Sequence, residues 1–346
     1  MALRPSATTT RPRFVRTGTL MLALPALLLA TSCSALSGSS SDSSSGSGSN
    51  PNGLEKTTIN VAIMKIADCA PVELAIKNGY FAAEGLTVKP VIVASGSVGI
   101  PKLEAGSVDI SISNWATALE AIASKKPLSV VGNAAVGQAG TMALDALPSA
   151  GINSPQDLVG KTVSVNAFSD LPYMALKANL IADNVDVSKI NFTIVAHPET
   201  PQALASGSVQ ASVQLEPYKT ESARQNGARP VVDLFGSGPT ASLPIAGYVA
   251  ESSFVKKDPK TLAAFDRALA KGAVAAQNRA TTEAIMPSYT GVDKTTADLE
   301  SLPVFPTSVN ATTLQRVADL MQQYGLLTNQ LNVTPLIAPS ALASSS

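Results

Sequence analysis

The stretch from Gly79 to Trp115, GYFAAEGLTVKPVIVASGSVGIPKLEAGSVDISISNW, restricts the fold more than any other part of the chain. Gly79 and Gly85 bracket a turn unit holding Tyr80 and Phe81, with Leu86 just beyond it. Leu86 to Val93 is rich in β-branched residues and reads as a strand. Ser95-Gly96-Ser97 follows, then a short helix carrying Ile100 and Leu103 to a stop at Gly106. Val108 to Ile112 reads as a second strand, and Ser113-Asn114 can cap a helix that begins near Trp115. Strand, helix, strand at this spacing is a βαβ unit, so the two strands should run parallel in one sheet.

The unit recurs. Thr57 to Met64 is an apolar strand, followed by a loop from Lys65 to Ala70 and a helix through Lys77. Pro71 suits the first turn of that helix, and Glu73 suits its positive end. Pro127 to Val136 is a further strand, and Gly137 to Gly140 is a joint of small residues before strand-like Thr141 to Leu144. From Ser154 the alternation restarts. Strands are expected at Lys161–Val165, Ile190–Val195, Val209–Val213 and Pro230–Leu234, and helices at Pro172–Ala182, Pro198–Ala205 and Leu215–Gln225. The letters repeat as well: Leu103-Glu-Ala-Gly106-Ser107-Val108-Asp-Ile-Ser111 aligns without a gap on Leu204-Ala-Ser-Gly207-Ser208-Val209-Gln-Ala-Ser212. Two similar α/β halves follow from this repetition. Ile245 to Glu251 is expected to lead back to the first half. Helices over Lys260–Asn278, Thr295–Ser301 and Ala311–Tyr324 complete that half, with an apolar stripe of Leu262, Phe265, Leu269 and Val274 on the first of them.

The chain of 346 residues is 45% hydrophobic and only 14% charged, which supports a large core. Its formal net charge is zero, so nothing in the charge balance points to nucleic acid. Residues 1–32 read as an export signal, with Arg4, Arg11, Arg13 and Arg16 ahead of an apolar run, Leu20 to Ala30, that is too short to span a bilayer. Ala30-Thr31-Ser32-Cys33 is similar to a bacterial lipobox, which would leave Cys33 lipidated and N-terminal; the alternative is an ordinary secretory peptide with Cys33 retained. Removing the four arginines leaves 21 basic against 25 acidic residues. Residues 33–53 form a Ser/Gly-rich tether that cannot bury a core. With Cys33 lipidated, Cys69 is the only thiol of the body and no internal disulfide can form.

GYFAAEGL at residues 79–86, AGSVDISISN at 105–114, Ser154-Pro155-Gln156-Asp157-Leu158-Val159-Gly160-Lys161-Thr162-Val163 and Leu215-Glu216-Pro217-Tyr218 together resemble the type II periplasmic binding proteins of the nitrate, sulfonate, taurine and thiamine-precursor group. The resemblance covers scattered matches from about residue 57 to residue 218. It implies an α/β, two-lobed fold, each lobe a mainly parallel sheet flanked by helices, with two crossover strands forming a hinge. Lobe one is expected over 54–139 and 246–340, and lobe two over 140–245. The function it implies is capture of a small solute between the lobes and delivery to the permease and ATPase of an ABC importer. The protein would be a monomer without cofactor or metal, held by a lipid anchor at the extracytoplasmic face of a bacterial membrane.

In parallel α/β sheets ligands gather at the C-terminal ends of strands. Four loops there should open onto the cleft: Asp68-Cys69-Ala70, Ser95-Gly96-Ser97, Ser113-Asn114-Trp115 and Phe168-Ser169-Asp170. Each precedes a helix and offers unpaired backbone N–H groups, a cup suited to a small anion. Gln138, with Asn133 and Gly137, would line the cleft where the chain crosses between lobes. Asp68 is either a ligand contact or a solvated turn carboxylate, and Cys69 either a contact or a small buried residue. Trp115, the single tryptophan, either stacks on a planar ring or fills the core. Glu216 either faces the cleft or caps its helix. His197, the one histidine, reads as a capping or surface residue. The Ser/Gly loops favour an anion, whereas Asp68, Asp170 and Glu216, with Lys65 the nearby cation, favour an amine. A zwitterion such as taurine or an aminopyrimidine thiamine precursor satisfies both. The competing readings are a two-lobed enzyme of the thiamine-precursor synthase type and a lipid-anchored sensor without transport. The export signal, the single histidine and the lack of metal-spaced or phosphate-loop motifs weigh against the enzyme.

Overall fold

The computed structural model describes residues 52–342. The proposed export signal, Cys33 and the tether up to residue 51 lie outside the described residues. The first run of elements is β1 (Thr58–Ile63), α1 (Ala70–Lys77), α2 (Tyr80–Ala83), β2 (Thr87–Ile92), α3 (Gly96–Glu104), β3 (Ile110–Asn114), α4 (Trp115–Ala123) and β4 (Leu128–Val136). The second is β5 (Met142–Ala146), β6 (Thr162–Val165), α5 (Leu171–Ala182), β7 (Asn191–Ile194), α6 (Thr200–Ala205), β8 (Ala211–Leu215), α7 (Tyr218–Asn226) and β9 (Arg229–Asp233). β10 (Pro244–Glu251) is followed by α8 (Ser252–Lys257), α9 (Pro259–Ala276), α10 (Arg279–Thr290), α11 (Lys294–Leu299) and α12 (Ala311–Gln323). None of these helices is long and apolar enough to cross a membrane.

The strands form two five-stranded sheets, ordered β2-β1-β3-β10-β4 and β7-β6-β8-β5-β9. In each, the first three strands pair in parallel and the fourth is antiparallel to both its neighbours. The antiparallel member is in both cases the strand that has just crossed from the other half: β5 enters the second sheet and β10 re-enters the first. Two lobes are thus tied by two crossings, and the mainly parallel α/β architecture follows from the βαβ repeats that feed it.

The sequence repeat marks equivalent places. Val61 and Ala62 of β1 pair with Ile110 and Ser111 of β3, while Val163 and Ser164 of β6 pair with Ala211 and Ser212 of β8. Both strands start two residues later than their apolar letters suggest. The reason is the same in each half: the N–H groups of Val108 and Val209 are still bonded back to the preceding helix, at the carbonyls of Lys102 and Ala203. Gly106 and Gly207, with φ of 66° and 71°, make those helix ends possible. The later start carries each strand on to Asn114 and Leu215, at the junction between the lobes. The helices α8 and α10 were not foreseen from the sequence.

The core of the first lobe is anchored by Trp115, which is fully buried against β10. A Cβ at Gly247 would lie 2.0 Å from a ring carbon of Trp115 and 2.6 Å from the Gly132 carbonyl oxygen, so only glycine lets the indole reach the strand. Phe81 stacks on Phe265 of α9 and Tyr248 meets the same ring edge-on, with ring centroids 5.5 and 5.8 Å apart, seating that helix on the first sheet.

Candidate functional site

The C-terminal ends of the parallel strands of both sheets meet around one cavity of about 270 Å³. From the first lobe come Met64, Lys65, Ile66 and Asp68 after β1, Ile92 to Gly96 after β2, Asn114 at the end of β3, and Ile245 and Ala246 of β10. The second lobe supplies Met142, Asn166, Asp170, Leu171, Pro172, His197, Pro198, Leu215 and Tyr218. The wall is predominantly apolar and its polar groups are few. That combination suits an organic ligand oriented by a small number of hydrogen bonds.

Asp170 is 1% exposed and sits at the N-cap of α5. Its Oδ1 accepts from the Tyr173 N–H at 2.9 Å and its Oδ2 from Asn166 Nδ2 at 3.4 Å. Burial pushes its carboxyl up to about 7, with those hydrogen bonds opposing. Asp68 is also raised to about 7 by burial; the only opposing influence is its own backbone N–H. Burial drives His197 the other way, to about 4, so the imidazole is neutral near pH 7. Its Nδ1 is buried without a hydrogen-bond partner among the described residues. Lys65 is an exposed cation at the rim, and the wall contains no arginine.

Asn114 ties the lobes. Its Oδ1 accepts from the Thr117 N–H at 3.0 Å, capping α4, and from the Leu171 N–H of the second lobe at 3.3 Å. This changes the expected anion cup. At α4 and α5 the first-turn N–H groups of Thr117, Leu171 and Tyr173 are taken by Asn114 and Asp170, so they do not stand free for an anion.

Of the residues singled out from sequence, Asp68, Ser95, Gly96, Asn114 and Asp170 are brought together in the cavity wall. Gly96 also has a packing duty: a Cβ there would lie 2.2 Å from Ser113 Oγ. The remaining candidates lie elsewhere. Cys69 is in the core, where its sulfur accepts from the Met64 N–H at 3.4 Å, and burial pushes its thiol far up, away from the reactive thiolate. Ser97 is exposed and shares a 2.8 Å hydrogen bond with Ser95. Trp115 packs in the core against Gly247. Gln138 donates to the Leu302 carbonyl at 2.6 Å beside the crossing, and Asn133 bonds its neighbour Ala134. A Cβ on Gly137 would clash with the Phe235 ring, so that residue too is committed to packing.

Phe168 and Ser169 are exposed, Phe168 packing edge-on against Tyr173 at 5.6 Å. Glu216 is buried and caps α7 through a 3.0 Å bond from the Thr220 N–H; its other oxygen accepts from Ser301 N–H at 3.0 Å.

The residues missed are His197, Asn166, Tyr218 and the apolar wall. His197 is not a surface group: it follows the end of the edge strand β7, the same topological place as Ser95 after β2, just as Asp170 after β6 matches Asp68 after β1. The rule that picked four strand ends would have found it if extended to the fifth. No group of His, Cys, Asp and Glu among the described residues has the geometry to hold a metal ion.

Comparison with known proteins fits this geometry. Among solved structures, the alkanesulfonate-binding protein SsuA from Xanthomonas axonopodis pv. citri bound to MOPS superposes with a TM-score of 0.69 at 16% identity, over 82% of this chain and 98% of that one. The periplasmic nitrate-binding protein NrtA from Synechocystis PCC 6803 gives 0.68 at 12% identity, over 83% and 87%. The desulfurization enzyme DszB gives 0.60 at 14% identity, over 82% and 97%. No curated protein sequence matches the chain. The family described as NMT1/THI5 like matches residues 66–282, which include the C-terminal ends of β2, β3, β6, β7 and β8 and both crossings. The chain is therefore a member of the NMT1/THI5-like family, built on the two-lobed fold of periplasmic binding proteins.

Proposed function

We propose that the protein is the substrate-binding lipoprotein of an ABC importer and that its ligand is a small organic solute carrying a basic nitrogen. The observation that carries this is the composition of the cavity wall: Asp68 and Asp170 face an apolar space with no arginine, and Lys65 stands only at the rim. A carboxyl raised to about 7 ionises readily when a cationic group arrives, which gives an amine its counter-charge at little cost. Nitrate or a simple sulfonate would instead meet two carboxyls and, at α4 and α5, helix starts whose first-turn N–H groups are already engaged. An aminopyrimidine or a zwitterion with its amine inward fits better.

The lobes, assigned here to 54–139 with 246–340 and to 140–245, open and close about the two crossings. Ligand touches both lobes only when they are closed, so it shifts the population to the closed form that a permease reads. Cys33 anchors the body at the extracytoplasmic membrane face through the tether, and the body acts as a monomer. No step requires chemistry by the protein. The enzyme reading would have to rest on His197, Asp68 and Asp170, because the one thiol of the body is locked in the core.

Thermal unfolding against taurine, alkanesulfonates, nitrate, aminopyrimidines and aliphatic amines tests the reading. A ligand specific for the native state stabilises by about 2.7 kcal/mol at a hundredfold excess over its Kd. Stabilisation by nitrogen bases that disappears in Asp68→Asn supports the assignment. Stabilisation by nitrate or alkanesulfonate alone contradicts it.

A further inference from the structure

Beside the first crossing, where Gln138 bonds the Leu302 carbonyl and a Cβ at Gly140 would lie 3.0 Å from Ser301 Oγ, lies a group of buried acids outside the wall of the ligand cavity. Glu300 follows α11 and is 1% exposed, and neither of its carboxyl oxygens has a hydrogen-bond partner among the described residues. Glu216 lies next to it from the other lobe, held by the Ser301 N–H at 3.0 Å. The same α7–α11 contact contains the Arg224–Asp293 ion pair at 3.0 Å.

An ionised carboxylate cannot be left buried, without a donor, next to a second carboxylate. The groups around Glu300 do not rescue it. Arg279 of α10 spends its Nη2 on the main-chain carbonyl of Glu300, at 2.8 Å, and pairs through Nε with Glu283 at 2.6 Å. Lys219 of α7 stands 3.7 Å from Glu216. Tyr289 of α10 has a buried hydroxyl with no partner among the described residues. Asp145 of β5, close to Glu216, is itself raised to about 7 by burial. Burial, with Glu216 adding to it and Arg279 opposing, lifts Glu300 to about 9.

We propose that Glu300 and Glu216 form a proton-operated latch between the lobes: closure buries Glu300 beside Glu216 as the neutral acid, taking one proton from solvent, and opening releases it. The latch rests on the proposed opening and closing of the lobes and not on the identity of the ligand. Its sign is fixed by linkage. In the open form Glu300 is hydrated and titrates near the ordinary carboxylate value, while in the closed form it titrates near 9. The closed form therefore holds one more proton through that window, and the closed-to-open ratio falls by up to about tenfold for each unit of rising pH. Acid favours closure and alkali favours release.

Small-angle X-ray scattering of the ligand-free protein at about pH 5.5 and about pH 8.5 tests this. The expected result is a larger radius of gyration at the higher pH for the wild type and a compact form at both pH values for Glu300→Gln. Glu216→Gln removes the neighbouring negative charge, so its expansion should be smaller than the wild type's; it also serves if Glu300→Gln fails to fold. A wild-type radius that does not change with pH overturns the latch. So does a Glu300→Gln protein that expands as the wild type does, because the other raised carboxyls, Asp68, Asp145 and Asp170, would then be responsible. If no solute of any class binds but the pH response is present, the ligand assignment fails and the latch stands.

Discussion

The ends of β3 and β8 occupy the same place in their two sheets, and each supplies a side chain that does two jobs. Asn114 caps α4 and accepts the Leu171 N–H from across the cleft. Glu216 caps α7 and accepts the Ser301 N–H from across the interface. The design is shared but the chemistry differs. The neutral amide lies in the wall of the ligand cavity, where a fixed charge would prejudge the ligand. The carboxylate lies outside it, beside Glu300, where a charge makes closure sensitive to protons. In the proposed scheme, one strand end reads the solute and its counterpart reads the state of the lobes.

The largest effect is expected where the β3 end depends on packing that the β8 end lacks. Trp115→Ala removes a fully buried indole and should cost about 3–5 kcal/mol in denaturant unfolding. Gly247→Leu should be comparably severe, because its side chain would enter the space of that ring. If either variant is as stable as the wild type, the two strand ends do not differ as described.

The next effect is on pH. Asp170 titrates near 7 in the folded protein and near the ordinary value of 3.8 when unfolded, so its contribution to stability is fully present at low pH and is lost as pH rises through 7. Unfolding free energy should fall between about pH 4 and 7, by at most about 1.4 kcal/mol per unit from this group. Asp170→Asn keeps a capping oxygen and should flatten that slope. An unchanged slope would move the titration elsewhere.

Smaller still is Glu216→Ala, which loses the α7 cap and the Ser301 bond but also relieves Glu300. A net cost of about 1–2 kcal/mol is expected by thermal or chemical unfolding. Asn114→Ala should cost about 1 kcal/mol through its cap and weaken ligand-induced stabilisation more than Glu216→Ala does. The reverse order for ligand stabilisation would exchange the roles given to the two strand ends.

The sheets were legible because βαβ units announce themselves in local letters, and the repeat at Leu103 and Leu204 even marked equivalent strands. The strand starts were misplaced because helix-end hydrogen bonds at Val108 and Val209 compete with the sheet, which hydrophobicity alone does not record. The site was half legible. Asp68 and Asp170 follow from the strand-end rule, whereas Trp115 and Cys69 obey the same rule and yet turn into the core. Trp115 turns toward Gly247, a partner far along the chain that no local pattern reveals, while Cys69 turns to accept the Met64 N–H within its own loop. His197 needed the rule applied once more.

In the proposed site, carboxyls rather than helix N–H groups select the ligand. Isothermal titration with a matched pair, benzylamine and benzenesulfonate, tests it most directly, in the wild type and in Asp68→Asn. The amine is expected to bind more tightly to the wild type, and this preference to collapse in Asp68→Asn. Tighter binding of the sulfonate to the wild type, unaffected by Asp68→Asn, would contradict it.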